Sequence, residues 1–506
     1  MNEDITLSEE EMAELANLVD IPEEYHGLAL KEKLPSLVED WKKTVLTVSH
    51  NNDVPAIASF FTILGQITKN FIMIPRGKNV EDSRLHFCWI QTSGTGKSTL
   101  WNFMSPVTKQ LNDRINKFEG THGIPIDEDG NELFPHNHYD NFDIIDYTDA
   151  ALIGYYDRYD NPDFDADDPQ SKKFIYKRVA GSLEGNGIAH WDEFEYSGVF
   201  KQSQHKENAV VYMNTFMNTM GGDAFIITKK LKEGEVVECR CERSVWATTY
   251  PPKHLKNIIA DKGVLQRMLV FVREVSEEEQ HEMRMSQLKQ SGIRDESTLD
   301  VTKFVKSLFV LYKDVKARYL EVGSDPFKTI EYSEGFSNAL VIEYIKMRNY
   351  AKSCRSEIRE IAQNFITRLN GQLMKLSVLC CIADRRDMKN PTKGFVVTPR
   401  HVRQAYILTQ QCYSTLVEWL EQSLKVQKES LMEKSKKVEF IQICKSLPKD
   451  ENGFISKNDL LEGVQRIANI SQASAYRYWK NLQHKFEQDK VGRSVLVRLK
   501  EGDETQ

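Results

Sequence analysis

Cysteine pairs of the C-x-x-C type are absent from this 506-residue chain, although it contains eight cysteines. That absence argues against a zinc ribbon and against a disulfide framework. No apolar run approaches the roughly 20 residues that a membrane-spanning helix needs. The acidic residues 1–4 are not followed by the apolar segment of a secretory signal. We therefore expect reduced thiols, no membrane partner and a cytoplasmic location, in the host cell if the chain is viral.

Length and charge distribution predict several domains, one of them basic. A chain of 506 residues is too long for one ordinary hydrophobic core. The net charge is −7, but residues 434–500 hold 14 Lys or Arg against 7 Asp or Glu, so this stretch carries +7 and the remainder −14. Such asymmetry is typical of a module that binds a polyanion. Lysines that only keep a surface solvated would give the same count.

The most informative segment follows an apolar run at residues 85–90, which predicts a buried strand, and precedes residues 100–104, which predict the start of a helix. The nine residues between strand and helix are Gln91, Thr92, Ser93, Gly94, Thr95, Gly96, Lys97, Ser98 and Thr99. A strand, a glycine-rich loop, Gly-Lys-Ser and a helix form a phosphate-binding loop. Its backbone N–H groups surround a polyphosphate at the helix N-terminus.

The residue types in this loop predict their roles. Lys97 is expected to reach the β- and γ-phosphates of ATP, and the Ser98 hydroxyl is expected to bind Mg²⁺. The usual pattern begins with glycine where this chain has Gln91. Because Gly94 and Gly96 still permit close backbone approach, we predict that the loop binds nucleotide.

A phosphate-binding loop needs an acidic element on a neighbouring strand. Residues 187–193 predict a short apolar strand that ends in the adjacent carboxylates Asp192 and Glu193. Asp192 would hold Mg²⁺ through water, and Glu193 would polarise the attacking water as a general base. The alternative is a strand that ends in a solvated acidic turn.

Residues 244–250 predict another buried strand, and its terminal hydroxyls make Thr248 or Thr249 the candidate sensor of the γ-phosphate. In ring ATPases such a strand lies between the two strands described above. Ahead of it, residues 225–238 alternate in polarity and turn near residue 233, as a hairpin would. The lysines at its tip are Lys229, Lys230 and Lys232. On a ring with a central channel they would bind a nucleic-acid backbone; solvation of an exposed edge explains them equally well.

Two arginines lie in largely apolar segments. Arg267 falls within residues 263–271, where a buried guanidinium needs a partner. That partner is either a carboxylate of the same chain or the γ-phosphate of a neighbour's nucleotide. Arg368 falls on a predicted helix at residues 367–376. It suits a lid arginine that reaches back to the nucleotide, or a surface salt bridge.

Residues 119–170 hold 15 Asp or Glu and one Arg. The acidic residues lack the spacing of a calcium-binding loop, so we do not expect a calcium site. We predict a surface insertion that contains a short strand at residues 142–145 and a short helix at residues 149–156.

The basic C-terminal stretch predicts three helices followed by a hairpin, which resembles a winged helix. Tyr478, Trp479 and Leu482 are expected in its core. The candidate DNA-contacting residues, on the third helix and at the hairpin tip, are Gln472, Ser474, Arg477, Lys480 and Arg493. Winged helices also dock proteins, so DNA and a protein partner both remain open.

The order of these motifs across residues 85–415 resembles the AAA+ class of P-loop ATPases. In particular it resembles replicative helicases of the minichromosome-maintenance type and helicase-like proteins of phages, plasmids and archaeal viruses. The resemblance implies a hexameric ring with ATP and Mg²⁺ at subunit interfaces. Lys97, Ser98, Asp192 and Glu193 would act within one subunit, and Arg267 would come from its neighbour. It also implies single-stranded or forked DNA, and replication proteins, as partners.

We therefore predict an α/β fold whose P-loop NTPase core, of the AAA+ type, covers residues 81–275 and includes the acidic insertion. A helical N-terminal region would precede it at residues 1–80, and a helical lid at 276–430 and a winged helix at 431–506 would follow. The predicted function is that of an ATP-dependent DNA helicase or translocase. The alternatives are an initiator or helicase loader that does not unwind DNA, and a DNA-binding regulator that senses nucleotide.

Overall fold

A computed structural model describes most of the chain. The described residues are 33–49, 52–92, 94–121, 139–144, 148–164, 167, 170–171, 173–194, 217, 226–230, 236–251, 263–290, 301–385, 394–468, 471–491 and 494–500. The chain divides into two compact units, Met1–Trp419 and Leu420–Gln506. Residues 1–32 of the predicted N-terminal helical region lie outside the described residues.

The structure is mixed α/β. The helices are α1 (Ser36–Val48), α2 (Asp53–Thr68), α3 (Lys97–Glu119), α4 (Asp149–Ile153), α5 (Glu277–Gln290), α6 (Thr302–Glu321), α7 (Phe336–Ser353), α8 (Ser356–Asp384), α9 (Pro399–Ser446), α10 (Lys457–Ala468) and α11 (Gln472–Leu482). The strands are β1 (Met73–Arg76), β2 (Asn79–Asp82), β3 (Phe87–Gln91), β4 (Phe142–Asp143), β5 (Gly154–Asp160), β6 (Phe174–Ala180), β7 (Gly185–Trp191), β8 (Ile226–Lys230), β9 (Val236–Thr249), β10 (Leu269–Arg273), β11 (Ile330–Tyr332), β12 (Phe395–Val397), β13 (Ile455–Ser456), β14 (Phe486–Val491) and β15 (Ser494–Leu499).

A central sheet organises the first unit. Five parallel strands follow the order β10–β3–β9–β7–β4, and β8 pairs antiparallel with the first residues of β9. Every residue of β3 is buried, as expected for a strand that is covered on both faces of a parallel sheet. The predicted strand at 244–250 forms the end of β9 and lies between β3 and β7, as expected.

The acidic segment corrects one prediction. Its short strand is not part of a surface insertion, because β4 pairs with β7 and forms the edge of the central sheet. The predicted helix at 149–156 ends at Ile153 instead, since the chain continues as β5. Strands β5 and β6 form an antiparallel hairpin outside the central sheet. The hairpin that follows β4 is therefore an addition outside the central sheet. Residues 122–138 lie outside the described residues.

Helix α2 is almost completely enclosed by the first unit. All of its residues from Val54 to Thr68 are buried. Its sequence is mostly apolar, and its polar side chains form buried hydrogen bonds, such as that from Gln66 Nε2 to the Glu242 carbonyl at 2.9 Å. Trp41 of α1 packs against it and donates its indole N–H to the Ala56 carbonyl (3.1 Å) and the Ser59 hydroxyl (2.9 Å). The helix therefore forms part of the core beneath the sheet.

Ion pairs accompany this core near the amino ends of the sheet strands. Lys69 pairs with Glu242, and Arg84 pairs with Asp82 at 2.8 Å, with all four side chains no more than 3% exposed. Burial alone would raise the pKa of Glu81, but its lysine and arginine partners lower it. Each pair compensates charges that would otherwise be costly to bury.

The second unit has its own core. Strands β13, β15 and β14 form a three-stranded antiparallel sheet, in that order. Tyr478, Trp479 and Leu482 are buried, as predicted, and pack with residues of α10, the end of α9 and the sheet. The predicted helix at 436–444 is the last part of the longer helix α9.

All eight cysteines are buried free thiols, which agrees with the prediction of reduced thiols. Among the described residues, no helix combines the length and the apolar character needed to cross a membrane.

Candidate functional site

Three parallel strands bring the candidate residues to one edge of the sheet. Trp89 of β3 lies opposite Thr248 of β9, and Trp191 of β7 lies opposite Ala247. Because the strands are parallel, the loop after β3, the end of β9 and the carboxylates after β7 lie at the same edge. This is the arrangement that the sequence motifs predict for nucleotide chemistry.

The loop after β3 has the backbone geometry of an anion-binding turn. Gly94 and Gly96 adopt positive φ angles of 72° and 91°, which glycine tolerates better than other residues. Helix α3 begins directly at Lys97 and continues for 23 residues, so its free N–H groups face the loop. Ser98 and Thr99 are exposed in the first turn of the helix.

Lys97 folds back over the loop instead of extending into solvent. Its Nζ donates to the carbonyl oxygens of Gln91 (2.5 Å) and Thr92 (3.0 Å). The ammonium also lies 4.7 Å from the centre of the Tyr250 ring, directly after β9. The side chain is only 8% exposed, which places a shielded positive charge where a phosphate would bind.

Gln91 has a structural role that explains its departure from the usual glycine. It is the last residue of β3 and does not need a positive φ. Its side chain accepts a hydrogen bond from Trp89 Nε1 at 2.6 Å and donates to Asn52 Oδ1 at 3.3 Å. Within the loop, its contribution is therefore its carbonyl group, which accepts from Lys97.

The two acidic residues after β7 differ in geometry. Asp192 accepts a 2.5 Å hydrogen bond from the Thr248 hydroxyl, and both it and Glu193 are exposed. Glu193 has a φ angle of 51°, a conformation that is uncommon for residues other than glycine and that occurs at functional sites. Thr248 thus contacts the acidic strand end, and its neighbour Thr249 donates to the Tyr250 carbonyl.

A histidine, a tryptophan and an aspartate that the motifs did not predict join the acidic strand to the loop helix. The His190 ring stacks on Trp101 of α3, with the ring centres 4.2 Å apart and the planes 15° apart. His190 Nδ1 lies 2.8 Å from Asp143 Oδ1, and this hydrogen bond lowers the pKa of Asp143. The available sequence signal was a polar residue two positions before Asp192, on the same face of the strand.

Arg267 and Arg368 lie away from this edge. In the parallel pair of β10 and β3, Leu269 lies opposite Phe87. Arg267 ends a 3₁₀ turn two residues before that level, and Gln91 lies four strand residues beyond it, about 13 Å away along the strand. Burial and, after it, the charge of Arg368 lower the pKa of Arg267.

This placement does not support the prediction that Arg368 reaches back to the nucleotide of its own chain. Arg368 is exposed on α8, and α8 contacts the segment before β10, where Gln372 donates to the Arg267 carbonyl at 2.9 Å. The Arg267 guanidinium donates to the Gly263 carbonyl at 2.9 Å. The two arginines therefore lie toward the amino ends of the parallel strands, opposite the candidate nucleotide site.

The predicted lysine hairpin also begins at that opposite edge. Strand β8 pairs antiparallel with β9, and Lys230 lies opposite Val236. Lys229 and Lys230 occupy the last positions of β8. Lys232 lies outside the described residues, as do Ser93 of the loop and Arg493 of the C-terminal hairpin.

On the C-terminal unit, Gln472, Arg477 and Lys480 are exposed on α11, as expected. Ser474 is only partly exposed, and its backbone N–H and hydroxyl bond to the Ser471 hydroxyl that caps the helix. Tyr476, which the sequence reasoning missed, is 54% exposed on this helix. Tyr476 falls outside the helical spacing of the buried residues Ala475, Tyr478, Trp479 and Leu482. That pattern was the sequence signal for its exposure.

No protein-family model matches this chain, and a search of curated proteins finds no match either. The chemical interpretation of the site therefore depends on its own geometry.

The residues fit a magnesium–triphosphate ligand. A serine hydroxyl at position 98 and the carboxylate of Asp192 are hard oxygen donors of the kind that Mg²⁺ prefers. Gly96 has a φ of 91°, and the loop surrounds a lysine ammonium at the start of a long helix. The arrangement offers positive charge and N–H donors for phosphates, with carboxylates beside them.

Proposed function

We propose that this chain is a P-loop ATPase of the AAA+ type that moves along DNA. The observation that carries the proposal is the end of β9, which contacts both halves of the candidate site. Thr248 bonds to Asp192, and the ring of Tyr250 lies over the ammonium of Lys97. Phosphate-binding and hydrolytic groups thus share one edge, as ATP hydrolysis requires.

In this proposal the loop binds the phosphates of ATP, and the acidic end of β7 activates the attacking water. The amides of the loop and Lys97 would hold the β- and γ-phosphates, and Ser98 and Asp192 would hold Mg²⁺. When bound, Mg²⁺ would neutralise charge on the triphosphate. Glu193 would accept the proton of the attacking water, a role that contributes about 10²- to 10⁴-fold in comparable enzymes. Thr248 would fix Asp192 by its hydrogen bond.

The arginines favour an oligomer. Arg267 precedes β10, and the start of β10 lies four strand residues, about 13 Å, from the level of Gln91, which is farther than an arginine side chain extends. Together with Arg368, it would complete the nucleotide site of a neighbouring copy, where a guanidinium stabilises the transferring phosphate. A homo-oligomer, most simply a hexameric ring, follows from this role.

DNA is the proposed track because the sequence places Lys229 and Lys230 at the end of β8, and because α11 of the C-terminal unit exposes Arg477 and Lys480. Strand β9 begins at the predicted lysine hairpin and ends at the candidate nucleotide site, where Thr248 lies. Thr248 follows Val236 by twelve residues, about 40 Å of extended strand. A movement of Asp192 would therefore be passed to Thr248 by their hydrogen bond, and from Thr248 along β9 to the lysines. Gln472, Arg477 and Lys480 would provide a second DNA contact.

A steady-state ATPase assay with and without single-stranded DNA tests this function. We expect ATP hydrolysis that DNA stimulates, and we expect Lys97→Ala to abolish it. Lys109→Ala, an exposed lysine on the same helix, is the matched control and should hydrolyse ATP normally. Normal hydrolysis by Lys97→Ala would contradict the site assignment.

A strand-displacement assay on forked DNA separates the remaining functions. Displacement that requires ATP supports a helicase. Hydrolysis without displacement would instead support an initiator or helicase loader, and nucleotide binding without turnover would support a regulator. We also propose a cytoplasmic location, in keeping with the reduced thiols.

A further inference from the structure

Two buried residues outside the phosphate-loop motif contact the loop from the corner between α1 and α2. Ser49 and Asn52 are each 1% exposed. Asn52 Nδ2 donates to the Thr95 carbonyl at 3.0 Å, and the Ser49 hydroxyl donates to the Gly96 carbonyl at 3.3 Å. Asn52 Nδ2 also lies 3.2 Å from the Ser49 hydroxyl, so the two side chains act together.

These contacts determine which way two peptide groups of the loop face. A trans peptide is planar, and its carbonyl and N–H point in opposite directions. The Thr95 carbonyl belongs to the same peptide as the Gly96 N–H, and the Gly96 carbonyl to the same peptide as the Lys97 N–H. With both carbonyls held toward Ser49 and Asn52, the N–H groups of Gly96 and Lys97 point to the opposite side. An anion bound by the loop would lie there.

The other end of the Asn52 amide is also occupied. Its Oδ1 accepts from Gln91 Nε2 at 3.3 Å, and Gln91 Oε1 accepts from Trp89 Nε1 at 2.6 Å. Asn52 is therefore fixed by strand β3 and cannot rotate without breaking this series of bonds. Gly96 leaves little room for movement, since a Cβ there would lie 3.1 Å from the Ser49 hydroxyl oxygen.

We propose that Asn52, assisted by Ser49, is a positioning residue that orients the Gly96 and Lys97 amides toward the phosphates. The inference rests on the proposed nucleotide site and extends it to two residues that precede the loop by more than 40 positions. Asn52 touches neither substrate nor metal in this role. It acts through the two peptide planes, so its effect falls on phosphate binding and not on recognition of the base.

Equilibrium binding of inorganic tripolyphosphate and of ATP to the full chain tests the proposal. We expect Asn52→Ala to weaken both ligands about ten- to a hundredfold, because two amide donors to a charged group lose their orientation. Ser49→Ala should weaken both less, since the Gly96 carbonyl also accepts from the Leu100 N–H. The ratio of the two affinities should stay constant, because the variant alters phosphate binding and leaves contacts to the base unchanged. Weaker binding of ATP with unchanged binding of tripolyphosphate would contradict the positioning role.

Thr62→Ala is the matched control. Thr62 is buried on α2 and bonds within the helix to the Ala58 carbonyl at 2.9 Å. It should lose a similar amount of thermal stability and keep full affinity for tripolyphosphate. If Asn52→Ala does not fold, the tripolyphosphate affinity of Ser49→Ala is compared with that of Thr62→Ala instead.

Affinity of the Asn52 and Ser49 variants equal to that of Thr62→Ala would overturn the positioning role. Absence of tripolyphosphate and ATP binding by the unaltered chain would instead overturn the proposed nucleotide site. The two failures are thus distinguishable in the same experiment.

Discussion

Replacing Gly96 by alanine separates the cost of backbone strain from the loss of an anion site. The residue has a φ of 91°, and an alanine in the left-handed region costs about 1–2 kcal/mol. Its Cβ would also lie 3.1 Å from the Ser49 hydroxyl oxygen and 3.5 Å from Asn52 Nδ2. Only the contact with Ser49 is tighter than ordinary packing, and its relief would rotate the peptides that present N–H groups to phosphate.

The other end of the same helix supplies a matched control. Gly120 follows α3 with a φ of 75°, and a Cβ there would find no atom within 4 Å. Gly120→Ala should therefore cost about the same 1–2 kcal/mol of stability without touching the loop. We expect Gly96→Ala alone to lose ATP binding, by about a hundredfold or more, since it displaces donors to a charged ligand.

Calorimetric titration with ATP, and denaturant unfolding of both variants, measure the two effects. Equal losses of stability with loss of binding only in Gly96→Ala would agree with the reasoning. Full ATP affinity in Gly96→Ala would refute the view that the loop backbone binds phosphate, and weaker binding in Gly120→Ala would show that helix strain alone disturbs the site.

Three further predictions follow from side-chain contacts. Thr248→Val removes the hydrogen bond to Asp192, so kcat for ATP should fall about tenfold in a steady-state assay, while KM changes little; an unchanged kcat would contradict the role of the threonine. Glu242→Gln leaves Lys69 buried without its carboxylate and should cost about 3–5 kcal/mol in urea unfolding. Adding Lys69→Met should recover part of that loss, and additive costs would argue against the pair. The lowered pKa of Glu81 stabilises the folded state above the carboxylate's unfolded pKa. That stability should decline as pH falls through the folded pKa, and in Glu81→Gln the unfolding free energy should depend less steeply on acid pH.

Local sequence patterns were sufficient to predict the strand and the helix that adjoin the loop. The glycines at 94 and 96 and the Gly-Lys-Ser sequence specify a turn and a helix start within a few residues, so β3 and the beginning of α3 appear where the sequence predicts them. The apolar run before Thr248 likewise predicts a buried strand, whereas its position between β3 and β7 was expected only from the resemblance to ring ATPases. Short-range periodicity carries this information.

Other features depend on contacts that no local pattern records. The sequence predicts a short strand at residues 142–145, but nothing in the two residues of β4 indicates that this strand pairs with β7 in the central sheet. The contact of Asn52 with the loop joins residues 43 positions apart. The edge on which Arg368 lies follows from how α8 packs against the segment before β10. Which part of a sheet a helix covers depends on tertiary packing, which local sequence patterns do not predict.

In the proposed function, the loop at Lys97 and the carboxylates after β7 form one hydrolytic site. The decisive experiment is single-turnover hydrolysis of ATP by Glu193→Gln, with bound nucleotide measured in the same sample. We expect ATP to bind with unchanged affinity and to remain intact, with the rate at least about a hundredfold lower. Hydrolysis at the rate of the unaltered chain would contradict the account.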